Sequence, residues 1–558
     1  MYILGFSGCP RCHDSSAALL KDNSIIAMAE QERFSRHRHA HGEWPIEAIR
    51  FCLQQAHLEF GDVTYVAYPW NARLTASESM HTLDLGHDPG DLREVFESLG
   101  ASEPSPPIYR VSHHVAHFAN AYWLSGFPEA AGLVIDGRGE REATTLFHAR
   151  KSKYTVIKQY SLLHSLGALY DAATECSGLE EDDAGKFMGL SAYGRPIRKI
   201  PITYDDGYSL LTAPGLSNIP DEAWVEQYRY LRRFMAEENY PYALGSRENI
   251  GDFADLACSV QRALEQAMLN LATTLRVQTG CRQLVISGGV GLNCASNTRL
   301  AQEAGFSEIF IPPMANDSGV ALGAALDLAR QLGFLEDGLQ QSPLKSVNWG
   351  PEFTDDEIEA AISHYALEVS CMPLQERCEY VAERLALDDV IGWFQGRAEV
   401  GPRALGSRSI LANPARRRTL NRVNRLKGRE QWRPLAPAVL AEHFSNFFTN
   451  APPSRFMLMT ATVLEHQRNR VPAVVHVDGT SRPQIVESDV NSEFYTLIEA
   501  FYQRTNIPLV VNTSFNLAGA PMVNTPHEAL ASFLAGDIDL LCIGKYLVSK
   551  SRRNDRSQ

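Results

Sequence analysis

Two short apolar runs that lead into an aspartate constrain this chain most. Residues 131–135 run into Asp136, and residues 309–313 come just before Asp317. Runs of this length, bounded by polar residues, read as buried strands. Each carboxylate then stands where a strand gives way to a loop or helix. Upstream lies Val111-Ser112-His113-His114-Val115-Ala116-His117. On a helix His113 and His117 fall one turn apart on one face.

These four side chains have two readings. An HxxxH pair on an apolar helix is often only a satisfied structural pair, and the glutamate of a zinc-protease helix is absent because His114 follows His113. The two strand-end aspartates favour the other reading. Two His and two Asp suit a borderline divalent ion (Fe, Zn or Mn) better than calcium.

At 558 residues the chain exceeds one core and predicts roughly two to four domains. Its composition, 44% hydrophobic and 21% charged, is that of a globular protein. A net charge of −14 argues against nucleic acid as the main partner, because phosphate backbones demand an excess of Lys and Arg. No apolar run approaches the roughly 18 to 20 residues of a membrane span, and the N-terminus reads as a strand instead of a signal peptide. The scattered cysteines predict reduced thiols and a cytoplasmic location. Cys9-Pro10-Arg11-Cys12 is a lone CxxC, open to redox or zinc use.

Along the chain, strands are expected at 2–6, 17–20 and 24–29, with a turn at Asp22-Asn23. The polar tip His13-Asp14-Ser15-Ser16 follows the first strand, a usual place for a substrate loop. Residues 29–36 carry mixed charges, and a solvated helix start is the bland alternative for them. Helical periodicity covers 43–60 and 252–279, and 63–68 is a strand. Residues 71–107 read as an irregular insertion, and 200–250 as loop and helix. Lys186 lies in a glycine-punctuated acidic stretch that is no Walker motif. Strand 283–286 leads into Ser287-Gly288-Gly289-Val290-Gly291-Leu292-Asn293. Strand, glycine loop and helix together can cradle phosphate, although a tight structural turn reads the same way, and the spacing is not that of a Rossmann site.

Residues 335–349 are the expected linker. Beyond it, helices are expected at 355–365 and 374–387, and strands at 390–394, 507–511 and, as the last element, 540–543. Residues 416–433 hold eight basic side chains against one acid, Glu430. A solvated basic helix or a nucleic-acid patch would look alike. The neighbouring glycines and Arg482 favour a pocket for a compact polyanion such as ATP, because guanidinium forks match phosphate oxygens.

The motifs resemble one family along nearly the whole chain. They are His13-Asp14-Ser15, Gln31-Glu32-Arg33-Phe34, the His113–His117 helix, Lys186-Phe187-Met188-Gly189-Leu190, the Ser287 to Asn293 loop, Gly401-Pro402-Arg403-Ala404-Leu405-Gly406, Arg433-Pro434, Ser481-Arg482-Pro483-Gln484 and Asn512-Thr513-Ser514-Phe515-Asn516. The family is the ATP-dependent O-carbamoyltransferases of antibiotic and nodulation-factor biosynthesis. The resemblance implies an α/β protein of two parts. Residues 1–340 would form an actin-like ATPase (ASKHA) domain that carries out metal-dependent carbamoyl transfer. Residues 349–558 would form an open twisted α/β domain, similar to threonylcarbamoyl-adenylate synthases, that makes carbamoyl-adenylate.

By motif position it implies His113, His117, Asp136 and Asp317 as metal ligands, for Fe(2+) or another divalent transition metal. It implies Arg403, Lys427, Arg433, Arg482, Asn512 and Ser514 for carbamoyl phosphate and ATP, the latter with Mg(2+). Gly288, Gly289 and Asn293, with Lys186 nearby, match a nucleotide loop. His13, with Asp14, matches the transfer site. His13, or a water it holds, could remove the acceptor's hydroxyl proton, or the pair could merely shape its loop. The implied partners are carbamoyl phosphate, ATP and a small hydroxyl-bearing acceptor, sugar-containing or antibiotic, with no nucleic acid and no membrane. Two other enzymes stay open: a tRNA threonylcarbamoyl transferase, favoured by salt-dependent tRNA binding, and an actin-like sugar kinase or ATPase, which would release ADP. A non-catalytic nucleotide- and metal-binding module would turn over no carbamoyl phosphate.

Overall fold

The computed structural model describes residues 1–71, 85–86, 90–101, 105–239 and 251–550. They divide into two compact units. The first comprises Met1–Gln31 and His41–Leu344; the second takes Glu32–Ala40 and the chain from Lys345 on. Much of the expected insertion at 71–107, the end of 200–250 and the basic tail lie outside the described residues.

The first unit repeats one plan. Its first sheet contains β1 (Tyr2–Ser7), β2 (Ser16–Lys21), β3 (Ser24–Glu30), β4 (Tyr65–Tyr68), β5 (Leu85–Gly86) and β6 (Ile108–Arg110), in the order β3-β2-β1-β4-β6-β5. The meander β1-β2-β3 is antiparallel, while β4 and β6 add in parallel beside β1. The second sheet contains β7 (Glu129–Ile135), β8 (Glu142–Arg150) and β9 (Lys153–Ser161). After the small hairpin of β10 (Ile202–Thr203) and β11 (Ser209–Leu210), it adds β12 (Gln283–Ser287) and β13 (Glu308–Phe310). Its order is β13-β12-β7-β8-β9, again an antiparallel meander with two parallel strands beside its first member. This doubled order is the actin-like topology. Parallel neighbours need crossovers, such as helix Ile46–Gln55 between β1 and β4 and helix Cys294–Glu303 between β12 and β13. Helices His113–Ser125, which leads from the first sheet to the second, and Val320–Gln331, which follows β13, pack together. Their approach requires glycine. A Cβ on Gly323 would stand 1.9 Å from the carbonyl oxygen of Ala116, and one on Gly5 in β1 would stand 2.0 Å from that of Ala321.

The second unit is built on an open mixed sheet. It comprises β14 (Leu367–Cys371), β15 (Ile391–Phe394), β16 (Arg408–Ala412), β17 (Ala436–Leu440), β21 (Gln484–Val486), β22 (Leu509–Ser514), β23 (Leu540–Ile543) and β24 (Tyr546–Lys550), in the order β14-β24-β23-β15-β16-β22-β17-β21. The intervening β18 (Phe448–Thr449), β19 (Ala461–Val463) and β20 (Thr480–Ser481) form a small antiparallel sheet. Helices Leu374–Ala386 and Ser492–Thr505 pack together over a core that includes Trp393, Phe494 and Phe501. The strand at 540–543 is not the last element, because β24 pairs back onto it antiparallel.

Three further expectations need correction. Residues 29–36 do not begin a solvated helix. β3 runs to Glu30, and the short helix Glu32–Ser35 belongs to the second unit, with Arg33 buried there and donating to the carbonyl of Gly401 at 2.8 Å. A boundary drawn near 340–349 therefore leaves out the segment 32–40. The cysteines are not all free: Cys9 and Cys12 form a disulfide, their Cα atoms 5.0 Å apart and within bridging range. Among the described residues no helix is long and apolar enough to cross a membrane.

Candidate metal centre and polyanion pocket

The packed helices of the first unit bring the four predicted ligands together. His113 opens its helix and His117 lies one turn on; Asp136 follows β7, and Asp317 begins the turn before helix Val320–Gln331. The Nε2 of His113 lies 3.3 Å from Asp136 Oδ2 and 3.5 Å from Asp317 Oδ1. The Nε2 of His117 lies 3.7 and 3.4 Å from the same atoms, and 3.2 Å from His113 Nε2. Outer contacts fix the rings: His117 Nδ1 meets Ser287 Oγ at 3.3 Å, and His113 Nδ1 meets the Pro69 carbonyl at 3.4 Å. Glu140 accepts the His113 N–H at 3.0 Å, placing a carboxylate at the helix N-terminus. The middle histidine, His114, instead meets Thr145 Oγ1 at 2.8 Å.

Burial alone would lower both imidazole pKa values and raise both carboxyl values. The reverse holds. Asp317 and Asp136 push His113 well above its ordinary range, and they raise His117 as well. The same contacts hold Asp136 well below the usual carboxylate range and Asp317 at about 2. Two protonated imidazoles with nitrogens 3.2 Å apart would repel each other. A divalent cation relieves both problems: it cancels two carboxylate charges and lets both rings be neutral donors. The donor set fits a borderline transition ion.

The second unit gathers cations with little to balance them. Lys427 is buried and donates to the Ser514 carbonyl at 2.6 Å, to Ser514 Oγ at 2.8 Å and to Asn516 Oδ1. Burial, then Arg429, Arg433 and Arg38, press its pKa well below the ordinary lysine value. Burial, Arg433 and Arg482 bring Arg429 down to about 9, opposed only by Glu430. Nη2 of Arg429 is buried with no hydrogen-bond partner among the described residues, and so is Oδ1 of Asn512. A second carboxylate organises the 395–407 loop that carries Arg403: Glu399 Oε1 accepts the N–H groups of Leu405 at 2.7 Å and Ser407 at 3.2 Å. Like charges crowded around a buried lysine, with Glu430 3.8 Å from Arg433 as a carboxylate among them, are costly unless a ligand supplies further negative charge, and phosphate is the natural complement.

The carbamoyltransferase N-terminus description matches residues 3–101 and 92–326, and the carbamoyltransferase C-terminus description matches 382–550. The chain belongs to the carbamoyltransferase family. It is 32% identical to the protein sll1178 of Synechocystis, covering 100% of this chain and 98% of that one. It is 34% identical to the nodulation protein NolNO of Sinorhizobium fredii, across 96% of this chain and 79% of that one. A solved structure of full-length HypF with phosphate and nucleotide is similar at 15% identity and a TM-score of 0.37, over 60% of this chain and 56% of that one. A likeness that loose carries no argument; the fold rests on the strand orders.

Other residues singled out in this carbamoyltransferase lie as follows. Gly288 has φ +90, and a Cβ there would meet the Ile135 carbonyl oxygen at 2.1 Å. Gly289 donates its N–H to Asp136 Oδ1 at 2.8 Å, so the glycine loop braces the His–Asp cluster. Asn293 caps helix Cys294–Glu303 and bonds Gln261, which engages both ends of its amide. Lys186 pairs with Asp183 at 2.6 Å. His13 is half-exposed and 3.2 Å from Asp14, whose Oδ2 accepts from Asn316 at 2.9 Å, next to Asp317. What burial His13 has would lower its pKa, yet Asp14, Asp317 and Asp136 raise it to about 10. So charged, it donates and cannot act as a base; a cation on the two aspartates would remove much of that pull.

Sequence reasoning missed Glu140, Arg429 and Arg38. Arg429 lay inside the basic run, which the structure divides. Arg418 and Arg422 pair outward with Asp388 and with Asp537 and Asp539, while Lys427, Arg429 and Arg433 gather together.

Proposed function

We propose that this carbamoyltransferase activates carbamoyl phosphate with ATP in its second unit and transfers the carbamoyl group to a small-molecule hydroxyl in its first. In the first step water cleaves carbamoyl phosphate to carbamate and phosphate. A carbamate oxygen then attacks the α-phosphorus of ATP, and pyrophosphate leaves with the bonding electrons. The product, carbamoyl-adenylate, has a better leaving group than a carbamate. The observation that carries this reading is the cluster Lys427, Arg429, Arg433 and Arg482, in which burial and then neighbouring guanidiniums depress both Lys427 and Arg429, with Glu430 opposing them at Arg429. These donors would neutralise charge building on the phosphates, with Arg403, Asn512 and Ser514 orienting them.

In the second step the acceptor hydroxyl attacks the carbamoyl carbon and AMP departs. His113, His117, Asp136 and Asp317 would hold the ion, Fe(2+) or a similar metal, which when bound supplies Lewis acidity toward a carbamoyl or phosphate oxygen. The His13–Asp14 loop, tied to Asn316, orients the acceptor; His13 takes its proton once the aspartate charges are neutralised. The acceptor class is a sugar-containing or antibiotic-like alcohol.

Mass spectrometry of protein incubated with ATP, Mg(2+) and carbamoyl phosphate, without acceptor, tests this reading. Carbamoyl-adenylate with pyrophosphate is expected. ADP would instead support an actin-like kinase or ATPase, and tight salt-dependent tRNA binding would support a threonylcarbamoyl transferase.

A further inference from the structure

We propose that Glu129, His148 and Cys281 form a second cation site of the zinc class, separate from the His–Asp cluster. Two of the residues lie on adjacent strands of the second sheet, and the third lies just before a strand beside them. Glu129 is the first residue of β7. His148 lies in β8, opposite Ala131, and is therefore a same-face diagonal neighbour of Glu129. Cys281 precedes β12, which pairs with the other edge of β7 through Leu284 and Ala131. Asp136 lies past the far end of β7, seven residues and so roughly 23 Å away. Neither cluster shares a ligand with the other.

One ligand atom from each residue lies within 4.8 Å of the other two. Glu129 Oε1 is 2.8 Å from His148 Nε2 and 3.8 Å from Cys281 Sγ. Tetrahedral zinc with ordinary Zn–S, Zn–N and Zn–O bonds asks for donors about 3.3 to 3.6 Å apart. The imidazole and carboxylate must separate by roughly half an ångström or slightly more. The sulfur, nitrogen and oxygen donors select zinc-like ions over calcium or magnesium. A thiolate and a carboxylate together cancel the charge of a divalent ion, and three protein ligands leave a fourth position for water.

The surroundings are consistent with this. Cys281 is buried, and its backbone N–H donates to Thr279 Oγ1 at 3.2 Å, so the sulfur is held at the end of helix Gly251–Thr279. Burial and Glu129 keep the thiol protonated above its usual range, and metal binding would expel that proton. Arg150 stands 4.0 Å from Glu129 but is exposed and can swing away, while Arg276 is tied to the carbonyls of Gly305 and Gly280. An ion here would pin the end of the long helix to the sheet.

Cobalt discriminates the two centres, because only the proposed site contains sulfur. Chelator-stripped full-length protein, with its Cys9–Cys12 disulfide intact, titrated with Co(2+) should develop an intense thiolate-to-cobalt band that saturates once both centres are filled and is displaced by Zn(2+). Cys281→Ser should abolish the band. Glu129→Gln and His148→Ala should weaken it at least tenfold in affinity, and His117→Ala should leave it unchanged. No band in the wild-type protein, or one that survives Cys281→Ser, would overturn the proposal. Should Cys281→Ser fail to fold, an unaltered band in both Glu129→Gln and His148→Ala would overturn it equally.

Discussion

Gly289 donates its backbone N–H to Oδ1 of Asp136 at 2.8 Å, while Oδ2 of the same carboxylate stands 3.3 Å from His113 Nε2. One oxygen is fixed by the loop and the other is presented to the histidines. Asp136→Asn keeps the side chain's shape and an oxygen for Gly289 but removes the charge. Metal retained after dialysis should fall from near one equivalent at this centre to a small fraction, and the stripped protein should melt earlier at neutral pH, because the ionised carboxylate answers His113 and His117 there. Full retention would show that Asp136 is not a ligand.

Arg429 illustrates a different balance. Beside Arg433 and Arg482, its Nε donates to Asn424 Oδ1 at 2.6 Å, while its buried Nη2 lacks a hydrogen-bond partner among the described residues. In the ligand-free protein that arrangement destabilises the fold, so Arg429→Ala should melt no earlier than wild type. Pyrophosphate formation should fall about 100-fold, the usual cost of one preorganised charge-stabilising donor. The opposite pattern, lost stability with intact turnover, would make Arg429 structural.

Lys427 ties binding to protons. Burial and then its cationic neighbours depress its pKa, so it loses its proton at lower pH in the folded, ligand-free protein than in the unfolded chain. A bound polyanion reverses the neighbours' effect and raises the pKa again. Where the free form is neutral, binding must therefore take up protons. Calorimetry of ATP binding at a series of pH values rising toward the ordinary lysine pKa, in buffers of differing ionisation enthalpy, should show uptake that grows with pH, and Lys427→Met should lose it along with affinity. Proton release would contradict this sign.

The helix approach that assembles the His–Asp cluster depends on Gly323. A larger side chain there would meet the Ala116 carbonyl oxygen and part the helix that carries His117 from the helix that follows Asp317. Gly323→Val should cost about 3 kcal/mol, and whatever folds should bind metal poorly. Chemical denaturation with parallel metal analysis checks both effects.

Much of this was legible in the sequence because it is local. The apolar run before Asp136 and the HxxxH spacing place their side chains through strand and helix periodicity alone. The basic run announced its charge but not its division, since Arg418 and Arg422 meet partners at Asp388, Asp537 and Asp539 that no local pattern supplies. The membership of Glu32–Ala40 in the second unit was equally hidden: Arg33 reaches Gly401 across 368 positions. Cys9-Pro10-Arg11-Cys12 has the spacing of a bridge, but reduced thiols were the ordinary expectation until the structure joined the pair. Glu129, His148 and Cys281 carry no sequence signature, because only strand pairing makes them neighbours.

The most direct test of two separate steps is pyrophosphate release from ATP, with and without carbamoyl phosphate, in wild type, Arg482→Ala and His117→Ala. The account predicts carbamoyl-phosphate-dependent pyrophosphate from wild type, none from Arg482→Ala with its metal retained, and close to the wild-type rate from folded His117→Ala that has lost its metal. ADP as the product, or pyrophosphate release lost in His117→Ala but kept in Arg482→Ala, would contradict it.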